Sequence, residues 1–205
     1  MKANIPPLFP EQYYHIYNRG INGEDIFREE KNYFYFLEKY AKHVEPVAQT
    51  YAYCLLKNHF HLLVSIRTED KIRNHFPEKS KDSIDKLVSQ QFSHLFNGYA
   101  QGINKTYIRT GGLFETPFRR IHIDQDAYFC QVLFYIHANP QKHGFVKDFR
   151  EYPYSSFHIY ESRKSTKLMR EDGLNWFGGV NEFRKFHDQR NLVFKENENF
   201  AIEFD

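Results

Sequence analysis

The chain has 205 residues, of which 41% are hydrophobic and 26% charged, and its formal net charge is +2 at pH 7. This length suffices for one well-buried core, while so small a net charge neither requires nor excludes a nucleic-acid partner. No run of 18 apolar residues is present, the first residues lack a secretion-signal core, and Cys54 and Cys130 form no disulfide framework, so we expect a cytoplasmic protein without a membrane span.

The first third of the chain predicts two strands of a hairpin preceded by a strand and a helix. Residues 13–19 alternate and end at a glycine, which is typical of a strand before a turn. Residues 29–45 have apolar side chains at helical spacing, and Pro46 stops the pattern. That predicted apolar stripe consists of Phe34, Leu37, Tyr40, Ala41 and Val44. Strands are predicted at 47–56 and 59–66, and their short connection favours an antiparallel hairpin. Small residues are expected on one face of the first of these strands, namely Ala48, Thr50, Ala52 and Cys54.

The middle of the chain predicts an exposed loop, a long helix and a bent strand. Residues 67–82 are charged and contain Pro77, so we expect a loop there. From Ile84 to Tyr99 the apolar residues keep helical spacing. Residues 113–123 alternate as a strand would, with a bend expected at Pro117.

A third helix is predicted with Asp124 as its N-cap and Ala138 near its end, because the residue before Pro140 avoids helical geometry. A short further helix is expected at 181–189. The order of elements predicts an α+β fold, in which helices pack on an antiparallel sheet as in a ferredoxin-like core, followed by a C-terminal extension.

Two histidines flank one apolar residue at the start of the third predicted strand. Since strand side chains alternate, His59 and His61 point to one face and Phe60 to the other. Two imidazoles on a face that is anchored from behind form half of a metal site. Taken singly, each histidine is more often a surface residue or a satisfied core residue than a metal ligand.

Tyr135 and Asn139 lie one helical turn apart and therefore share a face of the third helix. Taken alone, Tyr135 is typical of an interfacial tyrosine, and Asn139 of a residue that ends a helix. Together with the histidines they suggest phosphodiester chemistry. A divalent ion held by two histidines and an amide oxygen could polarise a phosphate, and the tyrosine could attack it to form a protein–phosphate ester.

Several stretches resemble the single-tyrosine HUH transposases, in particular the branch of REP-associated tyrosine transposases. The matching motifs are Tyr51-Ala-Tyr-Cys-Leu-Leu-Lys-Asn-His-Phe-His-Leu-Leu-Val64, Tyr14-His-Ile-Tyr-Asn-Arg-Gly20, Gly112-Leu-Phe-Glu-Thr-Pro-Phe-Arg119, Tyr135-Ile-His-Ala-Asn-Pro-Gln-Lys-His-Gly144 and Tyr152-Pro-Tyr-Ser-Ser156. The resemblance covers about residues 13–160. It implies a catalytic domain with an HUH nuclease core over 1–160 and an extension of unknown role over 161–205.

The resemblance also implies an activity. This is a metal-dependent endonuclease and strand transferase on single-stranded DNA, often beside a hairpin, with a covalent bond between Tyr135 and a 5′ phosphate. His59, His61 and Asn139 match the metal ligands, and magnesium or manganese is the expected ion. A homodimer is a further expectation from the resemblance.

The chain departs from the family pattern at two places. Thr116-Pro117-Phe118 replaces Gly-Arg-Phe, and Asn139-Pro-Gln-Lys-His-Gly144 replaces Asn-Pro-Val-Arg-Ala-Gly, which changes candidate DNA contacts and leaves the chemical residues. Candidate DNA contacts are Arg119, Arg120 and Lys142. Tyr128 is the second-choice nucleophile.

Two other functions stay open at this point. One is a domesticated, non-cleaving protein that binds DNA hairpins. The other is a nuclease of the replication-initiator or relaxase type, which a helicase domain would support.

Overall fold

The computed structural model describes residues 5–79 and 81–196 and has the predicted α+β fold. Four antiparallel strands form one sheet in the order β2-β3-β1-β4. The strands are β1 (Tyr13–Arg19), β2 (Ala48–Leu55), β3 (His59–Ile66) and β4 (Arg119–Ile123). β2 and β3 form the predicted hairpin, and β1 lies at the centre of the sheet between β3 and β4.

Helices cover both faces of the sheet. They are α1 (Glu30–His43), α2 (Glu69–His75), α3 (Ile84–Thr106), α4 (Asp126–Lys142), α5 (Phe157–Glu161), α6 (Arg170–Asn175) and α7 (Val180–Glu196). One core lies between the sheet and α1 and α3, and a second lies between the other sheet face and α4 to α7. Within the described residues, no helix has the length and apolar character needed to cross a bilayer.

The helical spacing of α3 is confirmed, and the predicted stripe of α1 is correct at Tyr40 and Val44 but wrong at Phe34. Every predicted stripe position of α3 from Ile84 to Tyr99 is buried. In α1, Phe34 is 61% exposed, and Tyr33 and Phe36 are buried instead. The reason is tertiary, because both of these rings pack against Phe27, with ring centroids 4.5 and 5.4 Å apart.

The small residues of β2 do not share one face. The register with β3 shifts between Thr50 and Ala52, as in a β-bulge. Such an irregularity reverses the alternation of side chains. Ala48 therefore joins the core beside α1, while Ala52 and Cys54 join the core beside α4.

Two predictions in the middle of the chain are corrected. The charged segment 67–82 contains α2 and a 3₁₀ turn (Pro77–Lys79), because Ile72 inserts fully into the first core. The predicted strand 113–123 is a strand only as β4, since the chain turns through Thr116 and Pro117 before it pairs with β1.

The third predicted helix continues past its expected end. Gln125, not Asp124, is the N-cap, and Pro140 lies inside α4 rather than beyond it. The His143 N–H donates to the Asn139 carbonyl at 3.0 Å, so the helical turn closes around the proline. Residues 132–140 are buried throughout, and this packing outweighs the local preference to end the helix.

The C-terminal helices pack on α4 and complete the second core. Its members include Tyr160, Leu168, Leu174 and Phe183, so the division predicted at residue 160 falls inside one apolar cluster. The predicted helix at 181–189 is the longer α7. Residues 197–205, the end of the predicted extension, and residues 1–4, in the segment expected to lack a secretion signal, lie outside the described part of the chain.

Candidate active site

The strand β3 presents its two histidines as the sequence predicts. Phe60 on the opposite face is fully buried in the first core and anchors the strand. The rings of His59 and His61 are perpendicular, and their centroids are 5.2 Å apart. Both side chains line one cleft at the ends of β1 and β3.

His59 lies between two amide side chains. Its Nδ1 is 2.7 Å from Asn58 Oδ1, and its Nε2 is 3.1 Å from Asn139 Oδ1. An amide oxygen only accepts hydrogen bonds, so the Asn58 contact favours the tautomer with a proton on Nδ1. In that tautomer, His59 Nε2 and Asn139 Oδ1 both present lone pairs to each other, an arrangement that a shared cation would stabilise.

His61 is buried and faces a third histidine. Its Nδ1 is 2.9 Å from Nε2 of His15, which is fully buried in β1. The other nitrogen of His61, Nε2, is buried and has no hydrogen-bond partner in the described chain. Burial lowers the pKa of His61 well below the ordinary histidine value, and the nearby His15 and His59 lower it further. A neutral imidazole with a free lone pair is the form that binds metals.

Tyr135 reaches this cluster from α4 of the same chain. Its ring centroid is 5.5 Å from that of His61 and 5.8 Å from that of His15, both in edge-on geometry. Lys142, two turns further along α4, places its ammonium 5.0 Å from the centre of the Tyr135 ring. The tyrosine is only 4% exposed and lies below the cleft rather than on its lining.

The cleft above these residues has a volume of about 440 Å³. Its lining includes Tyr17, Arg19, Asn58, His59, His61, Glu115, Arg119, His143 and Phe145. Glu115 pairs with Arg19 at 2.7 Å and lies 3.6 Å from Arg119. The walls thus combine cationic groups with aromatic rings, which are the groups that contact phosphates and unpaired bases.

The three predicted DNA contacts lie in three different environments. Arg119 is exposed and lines the cleft. Arg120 points to the opposite face of β4, where it donates to Ser89 Oγ at 2.8 Å and covers the Phe118 ring at 5.0 Å. Burial lowers the pKa of Arg120. Lys142 lies beside Tyr135 rather than on the cleft wall.

Tyr128, the second-choice nucleophile, lies seven residues before Tyr135, about 10 Å along the helix axis. Its ring packs against the second core, and burial raises the pKa of its hydroxyl. The ring described above as packing against His15 and His61 is that of Tyr135.

Sequence reasoning missed three residues of this cluster. His15 lies in the motif from Tyr14 to Gly20, but no function was predicted for it from the sequence. Side chains two residues apart in a strand share a face, so His15 is expected on the same face of β1 as Tyr13 and Tyr17. His143 lies 4.7 Å from the His59 ring, and Glu115 pairs with the cleft arginines. The packing of β1, β3, the end of α4 and the segment before β4 brings them together.

The donor atoms suit a divalent ion that accepts both nitrogen and oxygen. An octahedral ion with bonds of about 2.0–2.1 Å places neighbouring ligand atoms about 3 Å apart, which agrees with the 3.1 Å between His59 Nε2 and Asn139 Oδ1. Across residues 5–79 and 81–196, no three His, Cys, Asp or Glu side chains are grouped to hold a metal. A metal at this place would therefore need the Asn139 amide as its third protein ligand.

Comparison with known proteins agrees with the predicted resemblance. Over 114 residues the chain is 30% identical to a Haemophilus influenzae protein provisionally named a REP-associated tyrosine transposase, and the match covers 54% of this chain and 59% of that protein. A solved structure of a REP-associated tyrosine transposase bound to a REP hairpin has a TM-score of 0.62 at 15% identity, over 80% of this chain and 87% of the other. No model of a known protein family matches. The predicted family resemblance and the α+β fold are confirmed.

Proposed function

We propose that this chain, a relative of the REP-associated tyrosine transposases, is a metal-dependent endonuclease and strand transferase on single-stranded DNA. The observation that carries the proposal is the convergence of four side chains from two elements. His59 and His61 of β3 meet Asn139 and Tyr135 of α4 within one chain. A hairpin beside the cleavage point is the proposed substrate, since a hairpin is bound in the related solved structure.

Each side chain has a part in the reaction. His59, His61 and Asn139 would hold Mg²⁺ or Mn²⁺, which when bound polarises the scissile phosphate and offsets its developing charge. The Tyr135 oxygen bonds to phosphorus and loses its proton, the bond from phosphorus to the 3′ oxygen breaks, and the leaving 3′ oxygen takes up a proton. The products are a 5′-phosphotyrosine and a 3′ hydroxyl, and reversal of the step joins strands without ATP.

The burial of Tyr135 means that the DNA phosphate needs a path to its hydroxyl. Because Tyr135 as a whole residue is only 4% exposed, we expect that groups above it move before a phosphate reaches the phenol. The exposed His143 and Phe145, just beyond the end of α4, border the cleft at this point. We therefore expect DNA binding to displace the end of α4.

The test uses a single-stranded oligonucleotide with one hairpin, incubated with protein and Mn²⁺ and run on denaturing gels. Label at the 3′ end should move into a protein-linked band, whereas label at the 5′ end should appear in a short free fragment. Tyr135→Phe should lose the adduct and keep hairpin binding, and His59→Ala should lose cleavage with binding largely intact. Tyr128→Phe is the matched control on the same helix. An adduct that survives in Tyr135→Phe and disappears in Tyr128→Phe would overturn the nucleophile assignment.

The burial of Tyr135 also favours a second candidate, a protein that binds hairpins without cutting them. Under that function the wild-type chain would bind the oligonucleotide and form no adduct with any divalent ion. In either case the affinity should fall steeply with salt where phosphate contacts dominate.

A further inference from the structure

His15 is a fully buried histidine to which the proposed reaction assigns no role. It lies on β1, diagonally across from His61 on β3, and its Nε2 is 2.9 Å from His61 Nδ1. The two ring planes differ by 21°, with centroids 5.1 Å apart. The rings of Tyr17 and Tyr135 also pack against His15, at 5.0 and 5.8 Å, and hold its ring from two directions.

The contact between the two histidines constrains where His61 has its proton. A neutral imidazole has one N–H and one lone pair, and one of the two facing nitrogens must donate. If His15 donates, the proton of His61 moves to Nε2, which is buried and has no acceptor in the described chain. If His61 donates from Nδ1, its Nε2 presents a lone pair. The second arrangement puts the proton of a neutral His15 on its own buried Nδ1, and it is the arrangement that gives His61 Nε2 the lone pair a metal ligand needs.

We propose that His15 is a positioning residue for the metal site: it accepts the Nδ1–H of His61 and so holds the Nε2 lone pair toward the ligand position. The inference rests on the proposed function, because it assigns His61 as a ligand. It parallels the contact between Asn58 Oδ1 and His59 Nδ1, so each ligand histidine has its own acceptor on the ring nitrogen away from the metal. An apolar side chain at position 15 would fill the space but leave His61 free to take either tautomer.

Metal affinity without DNA is the first test. Mn²⁺ binding, measured by calorimetry or electron paramagnetic resonance, should weaken about 10- to 100-fold in His15→Leu, the usual cost of losing such a partner. His15→Gln keeps an acceptor oxygen and should bind within about threefold of wild type. His122→Leu is the matched control, because His122 is an exposed histidine on the opposite face of the same sheet. Mn²⁺ affinity in a folded His15→Leu equal to wild type would overturn the proposal.

The tautomer is the second test and does not depend on the metal. In ¹⁵N-histidine-labelled protein, the wild-type His61 should be protonated on Nδ1, and His15→Leu should shift it to Nε2–H or to a mixture. A wild-type His61 protonated on Nε2 would overturn the proposal even if His15→Leu fails to fold. If wild type binds no Mn²⁺ while His61 shows the expected tautomer, the metal-dependent function fails and with it the role of His15 at a metal site, and only the assignment that His15 sets the tautomer of His61 stands.

Discussion

Arg119 and Arg120 are adjacent in sequence and differ completely in what they touch. Arg119 lies on the cleft side of β4 near Glu115, while Arg120 donates to Ser89 on α3 and covers Phe118. Strand alternation alone produces this separation. The charge pattern of the sequence does not indicate which of two neighbouring arginines faces the cleft. The face of the sheet on which each side chain lies does indicate it.

The placement predicts different effects of two alanine substitutions. Arg119→Ala should weaken hairpin binding and lower the slope of log affinity against log salt by about 0.7–0.9, the value for one lost phosphate contact. Arg120→Ala should leave that slope unchanged and instead lower the melting temperature, because it removes a packed and hydrogen-bonded side chain. Fluorescence anisotropy over a salt series and thermal unfolding measure the two effects. Equal losses of slope in both variants would contradict the placement of the two arginines.

At the scale of elements, α4 is the connection between the site and the rest of the molecule. A buried hydrogen-bond chain anchors it on the side away from Tyr135. The His187 Nδ1–H donates to the Phe183 carbonyl at 2.9 Å, and His187 Nε2 lies 3.1 Å from His137 Nδ1. His137 Nε2 lies 2.8 Å from the Ser156 hydroxyl, whose oxygen accepts the Tyr53 N–H at 2.9 Å. A single direction of donation satisfies every member with both histidines neutral.

The buried hydrogen bonds of His137 and His187 predict that the stability of the protein falls in acid. Burial lowers the pKa of His187 to about 3, and burial, followed by His187, lowers the pKa of His137 well below its ordinary value. The unfolded chain binds these protons near pH 6.5 and the folded chain does not, so their contribution is complete above pH 6.5 and is lost as pH falls toward 3. The free energy of unfolding should fall by up to about 1.4 kcal/mol per pH unit per histidine in that window.

Urea unfolding between pH 7.5 and 5 measures this slope. His187→Leu should be less stable at pH 7.5 but should show a shallower decline, because one of the two buried histidines is gone. His122→Leu, which removes an exposed histidine, serves as the comparison. Identical slopes in wild type and His187→Leu would exclude the hydrogen-bond chain as the cause.

At the scale of the whole molecule, two cores share one sheet, and the second is completed by the C-terminal helices. Phe183 of α7 is fully buried and stacks on Tyr160 with centroids 4.8 Å apart. Removing one fully buried phenylalanine costs about 3–5 kcal/mol, whereas a typical domain is stable by only about 5–15 kcal/mol. The helices after residue 160 therefore support α4 and, through it, Tyr135 and Asn139.

Truncation after residue 160 is predicted to unfold the molecule or to loosen α4 severely. Phe183→Ala is the graded version and should destabilise the chain by about 3–5 kcal/mol. Circular dichroism and amide spectra of both variants test this expectation. A truncated chain with native spectra and unchanged stability would show that residues 1–160 fold independently.

Features that depend on local periodicity could be predicted from the order of the amino acids alone. Alternation in β3 placed His59 and His61 on one face, helical spacing defined α3, and one helical turn joined Tyr135 to Asn139. The remaining features depend on contacts between elements that are distant in sequence. The contact between His15 and His61 depends on strand pairing, and the course of α4 through Pro140 depends on packing from two sides. Local patterns in the sequence indicate the face of a strand or helix on which a side chain lies. The residues that it contacts belong to elements distant in sequence, and packing against those elements can outweigh local preference.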